Sequence, residues 1–77
     1  MDKIVQEIPR IKEFIYRIGS RRFSFHDIDN YLVSEKHEKP FSTKEKMIFV
    51  SFANKSVLKR SYRQREKTFE SMFQLNH

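Results

Sequence analysis

Ser24 stands three residues before Asp27, and Ser42 three residues before Glu45. In each pair the serine hydroxyl can accept from the backbone N–H three residues on, while the carboxylate reaches back to the serine N–H. Two donors that a helix start leaves orphaned are satisfied in this way. The chain therefore carries two helix starts in its local chemistry. After Ser24, Phe25, Ile28, Tyr31 and Leu32 form a buried face that fades near Glu35. After Ser42, Phe49, Phe52 and Ala53 gather on one side with Ile48 flanking them, and Thr43, Lys44, Met47, Ser51, Asn54 and Lys55 fall on the other. Residues 36–41 read as a connector in which Pro40 opposes helix continuation.

Upstream, Ile4, Ile8, Ile11, Ile15 and Ile18 recur in steps of four and three, with Val5 and Phe14 beside them. That spacing makes one helical stripe, with Glu7, Arg10, Glu13 and Arg17 opposite. Proline is welcome only in a first turn, so Pro9 places the helix from Glu7 or Ile8 to Ile18. Residues 2–6 are expected as a kinked extra turn or an extended arm, and Gly19 as the stop. Arg21-Arg22-Phe23 allows one short strand. From Ser56 two periodicities compete. Leu58, Arg60, Tyr62 and Gln64 alternate, as do Phe69, Ser71, Phe73 and Leu75, which describes a hairpin with a basic tip. Leu58, Tyr62, Phe69, Met72 and Phe73 also match helical steps, so a fourth helix stays open.

A chain of 77 residues has room for one domain and one core. Eight Phe and three Tyr against one Gly and two Pro oppose disorder, although 34% of residues are charged. There is no cysteine, which excludes disulfides and thiolate metal sites. No apolar run approaches the roughly 20 residues that cross a bilayer. The N-terminus lacks the features of a signal peptide, and a cytoplasmic, or in a eukaryote nuclear, location is expected. The net charge is +6 and the pI near 9.8. Residues 55–77 hold six basic and two acidic side chains, so most of the surplus lies in the last third. A local basic surplus is what a polyanion-binding surface requires.

Taken in order, helix, short strand, helix, helix and basic hairpin resemble the winged helix-turn-helix domains of small prokaryotic and viral DNA-binding regulators. The likeness is carried by Arg22-Phe23-Ser24-Phe25-His26-Asp27-Ile28, by Phe52-Ala53-Asn54-Lys55-Ser56-Val57-Leu58-Lys59-Arg60, and by Lys67-Thr68-Phe69-Glu70-Ser71-Met72-Phe73. The family often has Gly at the position of Ser56 and at the wing tip, and this chain has neither. The resemblance implies a mainly α domain of three helices, a short strand and a C-terminal β-hairpin wing, with residues 1–7 as a possible N-terminal arm.

It also implies duplex DNA as partner, with the third helix in the major groove and the wing on backbone or minor groove. Ser51 and Asn54 are then candidates for reading bases, Lys44 and Lys55 for phosphate or guanine, and Met47 for a thymine methyl. Each has a plainer role open: Met47 in the core of a slightly rotated helix, Asn54 as a C-terminal cap, Lys44 as a solvated lysine. Arg63, Arg65 and Lys67 would sit at the wing tip, where charge also protects an edge strand from aggregation. Arg21 and Arg22, and the helix N-terminus at Ser42 and Thr43, are candidates for phosphate. Phe14, Phe23, Phe25, Phe49, Phe52, Phe69 and Phe73 are assigned to the core. His26, His37 and His77 have no metal-ligand spacing and no Gly-rich phosphate loop exists, so neither an enzyme nor a cofactor is expected. A homodimer on a two-fold site is expected, with Ile4 and Val5 the available dimer contact. The alternative function is a protein-interaction module for an acidic partner, with Met47, Ile4 and Val5 as an apolar patch. Structured RNA is a third possibility.

Overall fold

The computed structural model describes residues 2–76, so His77 and the first residue of the expected arm lie outside it. Within that range the chain forms four helices and a three-stranded antiparallel sheet, and no helix is long and apolar enough to cross a membrane. The isoleucine stripe is helical but not continuous. Helix α1 spans Asp2–Glu7, a 3₁₀ turn Pro9–Ile11, and α2 Lys12–Ile18. Ile8 breaks the run at φ −132° and ψ 74°, outside the α region that a following proline disfavours. The stripe survives the break, because Ile4, Ile8, Ile11 and Ile15 are all buried. Residues 2–6 are thus a helix with a core anchor rather than an extended arm. Gly19 ends α2 at φ 61° and ψ −127°, a combination that a side chain rarely tolerates.

Both capping boxes form. Strand β1 (Phe23–Ser24) leads directly into α3 (Phe25–Asn30), with the Ser24 hydroxyl accepting from the Asp27 N–H and the Asp27 carboxylate accepting from the Ser24 N–H. The helix widens into a π turn over Tyr31–Glu35, closed by the Lys36 N–H to the Tyr31 carbonyl. The connector is tied down on two sides. The Asp29 carboxylate accepts the Phe41 N–H at 2.8 Å, and Arg10 donates to the carbonyls of Lys39 and Pro40. Phe41, assigned to the connector by its neighbours, is itself in the core.

Helix α4 spans Thr43–Asn54 and is the helix expected after Ser42. Beyond it the hairpin prevails over a fourth helix: β2 (Leu58–Arg65) pairs with β3 (Thr68–Leu75), and β3 is the middle strand of the order β1-β3-β2. Strand β1 meets only Phe73 and Met72, so the outer half of the hairpin projects from the body. Two backbone positions make this path possible without glycine. Ser56 takes φ 62°, and Glu66, the first of two residues in the hairpin turn, takes φ 50°. Ser56 closes α4 in a Schellman arrangement, its N–H to the Ala53 carbonyl and the Val57 N–H to the Phe52 carbonyl.

The centre of the core is three phenylalanines, one each from β1, α4 and β3. Phe23, Phe49 and Phe73 are wholly buried, with ring centroids 5.0–6.1 Å apart. Phe14 packs edge-on against Phe23, and Phe25 and Phe41 extend the cluster. Burial of each such ring contributes roughly 1.5–3 kcal/mol, and the mixed edge-on and tilted geometry adds to it. This cluster fixes how α4 and the hairpin sit relative to each other.

Candidate nucleic-acid interface

With Phe49 and Phe52 turned inward, α4 presents Thr43, Lys44, Met47, Asn54 and Lys55 to solvent, while Ser51 is half-buried. Twelve residues make this helix about 18 Å long, about one and a half major-groove widths. Met47 is 69% exposed, which excludes the reading as a core residue. It borders a shallow apolar hollow of about 340 Å³ with Thr43, Lys46 and Val50. Asn54 is not the cap, because Lys55 holds that position and Ser56 the left-handed one. Its amide is exposed and without a hydrogen bond among the described residues. Ser51 donates to the Ile48 carbonyl at 2.6 Å, which occupies its proton and leaves only acceptor capacity.

The N-terminus of α4 is less open to anions than expected. Ser42 accepts from the Glu45 N–H at 3.1 Å and donates its own N–H to Glu45 at 3.0 Å, so a carboxylate stands at the helix start. Arg10 holds that carboxylate through two hydrogen bonds, and the Arg10 contact, with help from the Ser42 N–H, lowers its pKa to about 2. The anion-binding capacity of this end narrows to Thr43 and Lys44.

On the hairpin, Arg63 and Arg65 lie on one face and share Glu70, at 3.3 and 3.1 Å. The nearby Ser24 hydroxyl, with the charges of Arg65 and Arg63, holds the Glu70 carboxyl below its ordinary range. Lys67, in the turn, has no partner among the described residues, as is true of Lys44, Lys55 and Lys59. Arg21 donates to the Ile18 carbonyl at 3.3 Å, and Arg22 is exposed beside it. These two border a cleft of about 330 Å³ shared with Arg17, Asn30 and Tyr31, and no residue of α4 lines it.

Lys46 and Arg60 are not among the candidates that the sequence marks. Lys46 lies 5.7 Å over the Phe25 ring, Phe25 is 4.9 Å from Phe73, and Arg60 lies 5.9 Å from Phe73 and 5.3 Å from Tyr62. This run of rings and cations joins α4 to the hairpin. Strand alternation put Arg60 in phase with Leu58 and Tyr62, but its position over two rings depends on the register. Phe69, assigned to the core, is 70% exposed. Its partner is Gln64, close to the turn, and the core ends before it. Ile4, the expected dimer contact, is wholly buried and Val5 packs on the core, so neither offers an apolar patch. Comparison with known proteins finds no matching family, no similar curated protein and no similar solved structure.

Proposed function

We propose that this chain is a winged helix-turn-helix protein that binds duplex DNA without catalysis, as a transcriptional regulator. In this reading α3 and α4 are the helix-turn-helix, α4 lies in the major groove, and the β2–β3 hairpin is the wing on backbone or minor groove. The observation that carries it is the exposed polar strip on α4, held beside a hairpin that bears Lys59, Arg60, Arg63, Arg65 and Lys67. Asn54 reads bases, Thr43, Lys44, Lys55 and Lys67 meet phosphates, and Met47 packs on a thymine methyl. Arg63 and Arg65 contribute in competition with Glu70. Arg21 and Arg22 contact flanking backbone. Occupation of a two-fold site by two copies belongs to the same reading.

The test is a binding titration on a duplex at several salt concentrations. Affinity falls steeply with salt, and replacing Lys67 lowers the logarithmic slope by about one unit. Absence of salt-dependent binding to any duplex overturns the proposal. The hollow beside Met47 favours a second reading, an interaction module that receives an apolar side chain of an acidic protein. Amide signals separate the two: duplex DNA perturbs both α4 and residues 63–67, whereas a protein partner perturbs the surroundings of Met47 and Val50.

A further inference from the structure

The two faces of the hairpin differ in chemistry. Register places Leu58, Arg60, Tyr62 and Gln64 of β2 on one face with Leu75, Phe73, Ser71 and Phe69 of β3. At the inner end Leu58, Leu75 and Phe73 belong to the core. Further out, on the same face, Tyr62 is 63% and Phe69 70% exposed. Their strand positions are diagonal neighbours, spaced by about 7–8 Å, so one ligand can touch both rings. Among the described hairpin residues, none on this face is acidic. The opposite face holds Arg63, Arg65 and Glu70, whose charges partly satisfy one another.

We propose that the face carrying Tyr62 and Phe69 stacks unpaired bases, so that the protein engages DNA where a duplex gives way to a single strand. The proposal rests on the DNA-binding reading and adds a ligand class to it. Aromatic rings offer every base a stacking platform, and a flanking line of cations tracks the phosphates. Both elements are present in one surface. Arg60 is held between the Tyr62 and Phe73 rings, and Lys46 lies over Phe25, next along the same run of rings. The cations therefore lead from α4, the duplex-facing element, to the exposed rings. A second copy is a poor occupant of this surface. β2 is an edge strand, and Lys59, Arg60, Arg63 and Arg65 along it repel an identical edge. The fully paired interior of a duplex is equally poor, since its bases show no open π-face to a ring lying outside the stack.

The experiment compares three labelled DNAs: a blunt duplex, the same duplex with a single-stranded tail, and the duplex with an abasic tail of equal phosphate number. Binding of the intact chain is followed by fluorescence anisotropy. The base-bearing tail binds about tenfold more tightly than the abasic tail. In the double variant Tyr62→Ala, Phe69→Ala that difference disappears, while affinity for the blunt duplex changes by less than about twofold, since both rings are exposed. Circular dichroism and sedimentation of the variant establish that it is folded and of unchanged oligomeric state. Equal affinity for the two tails, with the blunt duplex still bound, overturns the stacking proposal and leaves the duplex reading standing. An equal loss on all three DNAs also overturns it, because the rings would then act on the duplex. Failure to bind any of the three removes the DNA reading and the stacking proposal with it. Dissociation of an oligomer in the double variant overturns the proposal in favour of a contact between copies.

Discussion

The guanidinium of Arg10 grips the carboxylate of Glu45 through bonds of 2.8 Å from Nε and 2.9 Å from Nη2, thirty-five residues apart in sequence. The same guanidinium donates to the carbonyls of Lys39 and Pro40. One side chain from the 3₁₀ turn after the helix break at Ile8 thus locks both the connector and the start of α4. Because Glu45 is also half of the Ser42 capping box, the pair joins a local helix signal to a tertiary contact.

This pair makes the fold sensitive to acid. The Glu45 carboxyl sits at about 2 in the native state against an ordinary 4.5, so between those values the unfolded chain binds more protons. Its contribution is complete above about pH 4.5 and is lost as the pH falls toward 2. Allowing for partial exposure, Glu45→Gln costs about 1–2 kcal/mol at pH 7. Urea unfolding of both proteins at pH 7 and at low pH checks this, with the difference shrinking at low pH.

The left-handed positions predict a gain from glycine. Ser56 at φ 62° and Glu66 at φ 50° adopt a backbone that costs a side chain about 1–2 kcal/mol, partly offset by the greater freedom of unfolded glycine. Ser56→Gly is expected to stabilise the protein by about 0.5–1 kcal/mol, a rise of several degrees in Tm, and Glu66→Gly similarly. Ser56→Val moves Tm the other way. Thermal denaturation reads all three.

Burial separates two phenylalanines of one strand. Phe73→Ala opens a cavity among Phe23, Phe25 and Phe49 and costs about 3–5 kcal/mol. A chain of this length has a total stability of roughly 4–12 kcal/mol, so that variant is marginal or unfolded. Phe69→Ala stays within about 0.5 kcal/mol, because its ring lies outside the core. Denaturant midpoints of the two variants test the register of β3 directly.

Glu70 restrains the basic hairpin. In Glu70→Gln the guanidinium groups of Arg63 and Arg65 lose their shared anion, and duplex affinity at low salt rises by roughly two- to fivefold. The gain fades as added salt screens the site. Anisotropy titrations at low and high ionic strength measure it, and unchanged affinity at low salt would show that these two arginines do not face DNA.

Much of this was legible because it is local. A serine and an acid three residues apart carry their own geometry, and both boxes form as read. The isoleucine stripe was equally legible as a buried face, but not the break at Ile8, where the pre-proline backbone overrode helical continuity. Residues 57–75 were ambiguous since Leu58, Tyr62, Phe69 and Phe73 suit either period; pairing with Phe23 and Ser24, far away in sequence, decides for strands. Phe69 was misassigned for the same reason. Its hydrophobicity is a property of the residue, whereas its distance from the core is a property of the turn at Glu66 and Lys67. The closed N-terminus of α4 was half legible: the cap was visible, but not Arg10, which arrives from another element.

The ring cluster of Phe23, Phe49 and Phe73 sets a gauge. Phe49 belongs to α4 and Phe73 to the hairpin, and their rings meet edge-on 5.0 Å apart inside the core. The span between helix and hairpin is thus machined from the interior, out of reach of anything that touches the surface. Evolution or engineering can change the side chains along either jaw freely, but widening the jaws requires recutting phenylalanine against phenylalanine.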